Sequence, residues 1–176
     1  LNDMKRILYD KKWAKTAPDL ELYYMYRGIK KKDGLRYDIT AMPPRMLGKE
    51  FVKTKGHEHS ENYGEAYTIL EGTALYLMQK YKDKKIKDVY AVKAKKGEAV
   101  IVPPGYGHVT TNPSKKKLVE ANWLDEKCKN LYNLFVKKEG ACYFYTQNGW
   151  VKNKNYKSTP KLRFEKPLKK MPENLN

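Results

Sequence analysis

The hydrophobic and polar positions of this chain alternate in short runs cut by turn residues, the pattern of strands rather than helices. Residues 21–27 alternate as a strand, Asp33-Gly34 is a hairpin signal, and residues 35–40 return from it before Pro43-Pro44 breaks the run. Residues 65–71 and 73–81 are strands parted by Gly72. In the second, Ala74, Tyr76 and Met78 interleave with Leu75, Leu77 and Gln79, which predicts burial on both faces. Further strands are expected at 87–93, 98–102, 108–111 and 118–124, with a closing hairpin of 141–146 and 149–151 around Gln147-Asn148. Residues 130–137 read as a short helix, 11–20 as a polar or helical connection, and 6–9 as a strand or part of an arm. The Lys- and Pro-rich tail from Pro167 is expected to fray.

Many short strands separated by turns predict an all-β sandwich or barrel. At 176 residues one domain suffices. It divides into an arm with the first strands (1–35), the barrel (36–166) and the tail (167–176). Fifteen tyrosines suit strands. The formal charge of +17 implies attraction to anions without naming one. Lysine runs at 30–32, 84–85, 95–96 and 115–117 fall mostly in predicted turns and read as solvated surface; no nucleic-acid motif accompanies them. No run is apolar for long enough to span a bilayer. Asn2-Asp3-Met4-Lys5-Arg6 does not open a signal peptide, and a start at Leu1 rather than Met predicts residues before it in the natural protein. Cys128 and Cys142 fit a reducing compartment as free thiols, a single disulfide being the alternative. A cytoplasmic enzyme is the simplest expectation.

The chain has three histidines, and all lie in two short motifs. His57 and His59 belong to Thr54-Lys55-Gly56-His57-Glu58-His59, and His108 ends Pro103-Pro104-Gly105-Tyr106-Gly107-His108. Alternate residues of a strand share a face, so His57 and His59 can aim at one ion. Glu65 adds a carboxylate, and His108 has to arrive from a distant strand. Three His and one Glu form a mixed N/O set suited to Fe(II), Mn(II), Ni(II) or Zn(II), with Fe(II) the first expectation.

These motifs resemble the cupin superfamily: His57-x-His59, Glu65 and Gly72, then Gly97, Pro103-Pro104-Gly105, His108 and Asn112. Phe51 stands where the first motif has a Gly, and the gap from His59 to Glu65 is slightly long. The string Thr54-Lys55-Gly56-His57-x-His59, with Glu65-Ala66-Tyr67 and the second motif, looks like the cupin-type phosphoglucose isomerases of archaea and some bacteria. The resemblance runs from about Thr40 to Tyr132. It implies a cupin-type jelly roll and one divalent ion per subunit held by His57, His59, Glu65 and His108. It also implies a hexose phosphate bound by Thr40, Thr54, Gly56, Tyr67 and Tyr132, and a homodimer whose N-terminal strand crosses between subunits. In two places this chain departs from that family. Asn130 stands where a His is usual, and Trp123 or Leu124 where a Tyr is usual. Both departures leave the choice of hexose open.

Aldose–ketose isomerisation is the implied reaction, between glucose 6-phosphate and fructose 6-phosphate through an enediol(ate), in glycolysis or gluconeogenesis. Its hard step is removal of a carbon-bound proton, eased by a cation beside the developing charge. Glu65, Tyr132 and His108 are the catalytic candidates, with Glu65 the first choice for the proton and a hydride shift its rival. Thr40 and Thr54 offer phosphate hydroxyls and Gly56 an unscreened N–H, while Lys55 and Arg45 are nearby charges. Two other readings stand: another metal cupin enzyme, such as a mannose-6-phosphate isomerase or a dioxygenase, and a non-catalytic sugar- or anion-binding cupin.

Overall fold

A computed structural model describes residues 1–173. The strands, in chain order, are β1 (Tyr24–Lys32), β2 (Leu35–Met42), β3 (Met46–Leu47), β4 (Glu50–Phe51), β5 (Glu58–His59), β6 (Glu65–Glu71), β7 (Thr73–Lys82), β8 (Lys85–Lys95), β9 (Ala99–Val102), β10 (Gly107–Thr111), β11 (Leu118–Asp125), β12 (Asn130–Leu131), β13 (Tyr143–Thr146), β14 (Gly149–Lys152) and β15 (Arg163–Glu165). Two sheets carry the fold, one ordered β1-β2-β11-β6-β9 and the other β10-β7-β8-β15. They face each other as a jelly roll, without a continuous hydrogen-bonded closure between them.

The core between the sheets holds Met42, Tyr67, Ile69, Tyr76, Met78, Val92, Val100, Val102 and Leu118. β7 is buried on both faces, as its composition predicts. Ala74, Tyr76 and Met78 join this core, while Leu75 and Leu77 pack into a second cluster with Val109, Phe135, Tyr143 and Tyr156. Full burial of an apolar side chain of this size contributes about 1.5–3 kcal/mol, so one strand anchors two layers. Gly72 turns β6 into β7 at φ +80°, where a side chain would meet the Lys117 carbonyl. Asn112, from the second motif, ties the β10–β11 loop by donating to the carbonyls of Met42 and Lys116.

The ends differ from the sequence reading. Residues 2–7 form a 3₁₀ helix (Asn2–Ile7), not a strand, and α1 (Lys11–Thr16) follows. Asp10 caps α1 by accepting from the Trp13 N–H. Met4, Ile7 and Leu8 are buried against the chain's own core, so this segment does not extend as an arm. The expected helix 130–137 shortens to α2 (Asn133–Lys137), because Asn130 and Leu131 pair with His59 and Glu58 instead. β15 was not legible: it is exposed along its length and pairs in parallel with β8. The tail expected to fray from Pro167 is anchored at Leu168, which exchanges both backbone hydrogen bonds with Ala99; the end of that tail, 174–176, lies outside the described residues.

A buried ion pair fixes the N-terminal segment. Lys53 Nζ lies 2.8 Å from Glu50 Oε2, with both side chains shielded, and donates to the Ile7 carbonyl. Glu50 Oε1 accepts from the Tyr9 N–H at 2.6 Å. Removing one partner strands a buried charge, at a cost of about 3–5 kcal/mol. Lys53→Ala should therefore lower stability in urea unfolding by about that amount. It should also expose residues 1–20 to proteolysis before the barrel; loss below about 1 kcal/mol would deny the clamp this role.

Candidate metal centre

Two backbone features deliver the histidines. His57 and His108 form an antiparallel bridge, exchanging N–H···O bonds at 3.2 and 2.9 Å, which joins two segments far apart in sequence. His59 follows on the same face two residues later, in β5. Gly56 holds φ +77° ahead of them, and a Cβ there would collide with Val109 and Phe135. It therefore has a packing requirement besides its free N–H. Glu65 opens β6, opposite Val102 and Leu124.

The ligand atoms of His57, His59, Glu65 and His108 lie within 4.8 Å of one another. Glu65 Oε2 is 3.2 Å from His59 Nε2 and 3.3 Å from His108 Nε2. Yet Oε2, His59 Nε2 and His57 Nε2 are buried without any hydrogen-bond partner, because the groups are close but misaligned. Unpaired buried polar atoms cost free energy and call for an explanation. Lone pairs that converge on a shared point rather than on each other suit a cation, and the N/O donor set fits a divalent first-row ion.

Neighbours aim these groups. His59 Nδ1 donates to the Tyr63 carbonyl at 3.2 Å, which leaves Nε2 with its lone pair turned inward. Asn122 donates to Glu65 Oε1 at 2.6 Å and leaves Oε2 for the ion. Burial, reinforced by His108, holds His57 well below the usual histidine range, so it is neutral and able to ligate at neutral pH. Burial alone would lower His59 too, but the Glu65 carboxylate beside it outweighs burial and raises it. Burial raises Glu65, and the close imidazoles of His108, His59 and His57 together overcome that and hold it below the carboxylate range.

Beside this cluster is a small cavity of about 30 Å³, whose lining includes Thr40, Thr54, Gly56, His57, Tyr67, His108 and Tyr132. The five candidate substrate residues and two of the candidate ligands thus share one space, with His59 and Glu65 behind it. The Tyr67 hydroxyl is 3.1 Å from His108 Nε2, and the Lys55 ammonium stands 5.2 Å from the Tyr132 ring centre. Arg45 does not line the cavity. Of the two residues at the second departure, Leu124 takes the inward place at 3% exposure, while Trp123 turns out against Tyr37. Asn130 lines the cavity with a buried, unpartnered Oδ1.

Sequence reasoning missed Tyr23, Met25, Glu120 and Asn122. For the last two a signal existed: polar residues at alternate positions of a strand whose other inward residues, Leu118 and Leu124, are apolar.

A jelly roll with three imidazoles and a carboxylate converging beside a hydroxyl-lined cavity defines a metal-binding cupin. The family described as Glucose-6-phosphate isomerase (GPI) matches residues 16–161, and the chain belongs to that family. It is similar to glucose-6-phosphate isomerases of Pyrococcus abyssi (30% identical over 68% of this chain and 64% of that one), Thermococcus litoralis (27%, over 93% and 85%) and Pyrococcus furiosus (27%, over 86% and 82%). The chain thus spans just under two thirds of the first relative's length and more of the other two. Likeness to the cupin domain of Schizosaccharomyces pombe Cnp3 is loose (TM-score 0.44, 14% identity, 63% of this chain and 69% of that one), and the assignment does not lean on it.

Losing a residue that orients a metal ligand typically costs 10–100-fold in metal affinity. Asn122→Leu, which frees Glu65 Oε1, should weaken divalent-ion binding by roughly that factor in competition with a chelator. Unchanged affinity would show that Glu65 needs no such support.

Proposed function

We propose that this protein is a metal-dependent sugar-phosphate isomerase interconverting glucose 6-phosphate and fructose 6-phosphate, a step of glycolysis or gluconeogenesis. The observation that carries the reading is the set of unpaired ligand atoms at a cavity lined with hydroxyls, in a chain of this family. A divalent ion held by His57, His59, Glu65 and His108, Fe(II) first among Fe(II), Mn(II), Ni(II) and Zn(II), supplies Lewis-acid stabilisation of the charge that develops on the sugar oxygens.

The chain's own groups do the rest. Thr40, Thr54 and the Gly56 N–H receive the phosphate, with the Lys55 charge at the cavity wall. Tyr67, Tyr132 and the free Asn130 Oδ1 take the sugar hydroxyls. Burial raises Tyr67 well above the usual tyrosine range, so it acts as a neutral donor. Glu65 is the candidate for the proton that leaves C2, with the Tyr132 ring centred 5.7 Å from that of His57. The low position of Glu65 weakens it as a base. That favours a second route, in which hydride passes directly from C2 to C1. Glucose 6-phosphate deuterated at C2 separates the two: label retained at C1 supports direct transfer, and label lost to water supports Glu65.

The exposed edge strand β1 supports a homodimer. All its residues are exposed, including Tyr24, Met25, Tyr26 and Ile29. Cys128 and Cys142 are both free thiols, and no helix among the described residues is long and apolar enough to cross a membrane. These features support a cytoplasmic setting.

His57→Ala or His108→Ala should cut metal-supported isomerisation by at least about 100-fold while leaving the β circular-dichroism spectrum intact. Full activity in either variant, or activity untouched by chelation, would remove the metal reading; oxygen uptake without isomerisation would point to a dioxygenase. Tyr26→Glu should halve the mass measured by light scattering, and a wild type already monomeric would remove the dimer.

A further inference from the structure

Two features play no part in the proposed reaction: the short strand β15, and Tyr106 in the turn that leads to His108. The register joins them. On the second sheet His108 pairs with Met78, Met78 with Tyr90, and Tyr90 with Arg163. Cross-strand partners share a face of the sheet, so one row crosses the inner face from the candidate ligand to the edge strand. Met78 and Tyr90 are buried in the core between the sheets. Arg163 ends the row, its guanidinium carbon 4.4 Å from the Tyr90 ring centre.

A second path leads from Arg163 back toward His108. The guanidinium grips both Asp88 oxygens, Nε donating to Oδ1 at 3.2 Å and Nη2 to Oδ2 at 2.7 Å. The Tyr106 hydroxyl donates to the same Oδ2 at 2.7 Å. The Tyr106 ring meets the Tyr90 ring edge-on, with centres 5.6 Å apart. Tyr106 stands two residues before His108 in a tight turn, its N–H bonded to the Pro103 carbonyl at 3.2 Å. Arg163, Asp88, Tyr106 and Tyr90 thus close a ring of contacts around the turn that enters β10.

Stability alone is a weak reason for this arrangement. β15 is three residues long and exposed throughout, and the Arg163 and Asp88 side chains are 46% and 30% exposed. An ion pair so open to solvent adds little to folding. What it can give is direction. The Tyr63 carbonyl aims His59, and Asn122 aims Glu65, whereas His108 Nδ1 is buried without a hydrogen-bond partner. The aim of His108 therefore rests on its backbone and on what packs around it. The bridge to His57 fixes that backbone from across the site, and the Tyr106 turn fixes it along the chain.

We propose that Arg163 is a positioning residue for the metal centre: it latches β15 over Tyr90 and, through Asp88, holds Tyr106 and the turn that aims His108 at the ion. This rests on the metal reading given under the proposed function. The C-terminal segment is then a working part of the site, although none of its residues reaches the ligands.

The test measures Co(II) affinity in competition with a chelator, the visible spectrum of the Co(II)-loaded protein, KM and kcat for fructose 6-phosphate, and the unfolding midpoint of the metal-free protein. Arg163→Gln and Tyr106→Phe should each weaken ion binding about tenfold, the low end for residues that support a ligand. Each should also shift the Co(II) bands and lower kcat with KM little changed. Because both act along one path, the double variant should lose no more than the worse single variant. Leu168→Pro serves as the control. It removes the N–H bond from Leu168 to Ala99 and loosens the same segment without touching the Arg163 contacts. It should lower the midpoint and leave ion affinity within about twofold. Ion affinity that simply follows the midpoint across all the variants would reduce β15 to a structural role and overturn the proposal. So would additive losses in the double variant, or an unchanged affinity and spectrum in Tyr106→Phe. A wild type that binds no divalent ion would remove the metal reading, and this inference with it.

Discussion

The structure depends on a frustrated contact. Four Lewis-basic groups are held close together, largely out of water, and are not allowed to satisfy each other. A fold built for stability alone would let the Glu65 carboxylate bond His59 or His108 squarely, at 3.2 or 3.3 Å. Here those distances are met and the alignment is refused. The refusal comes from backbone: the His57–His108 bridge fixes two imidazoles against each other, and β6 brings Glu65 in from the side. The stability lost at these atoms becomes affinity for whatever cation completes them.

The surrounding sheet explains how such a contact survives. β11 lies at the centre of its sheet, between β2 and β6, and cannot shift without breaking both ladders. Along its inward face come Leu124, Asn122 and Glu120 in succession, each buried. Leu124 pairs with Glu65 across the ladder, Asn122 orients that acid, and Glu120 stands opposite Thr40. The site is thus graded along one strand, from apolar wall to hydrogen-bond donor to ionisable group. The register of a single ladder sets that gradient, because slipping by one residue would turn all three outward.

Much of this was legible in the sequence, for identifiable reasons. β6, β7, β9, β10 and β11 announce themselves through alternation and turn residues, because both determinants are local. The clustering of His57, His59, Glu65 and His108 was legible because the chain spends its three histidines nowhere else. What stayed hidden depends on contacts between distant segments. The 3₁₀ helix at the start is held by Lys53 and Glu50, which no window around residues 2–7 contains. β15 is exposed throughout and exists because β8 offers it an edge. Asn130 left the expected helix because His59 offered a partner across the chain. Glu120 and Asn122 could have been noticed as polar residues facing a core, but only the register shows that one meets Glu65 and the other Thr40.

The charge of the chain is a separate matter from its recognition chemistry. The lysine runs at 30–32, 84–85, 95–96 and 115–117 are all exposed, and an excess of this kind draws anions of every sort toward the surface. Within the cavity the balance reverses. Lys55 is the one lysine among the described lining residues, set against the buried acids Glu65 and Glu120. An interior so poor in cations cannot select a phosphate by net charge. The proposed phosphate would have to be selected by directed donors, hydroxyls and a backbone N–H. Attraction and selection are thereby divided between two parts of the molecule: the exposed lysines supply a field that salt can screen, and the cavity supplies a geometry that it cannot.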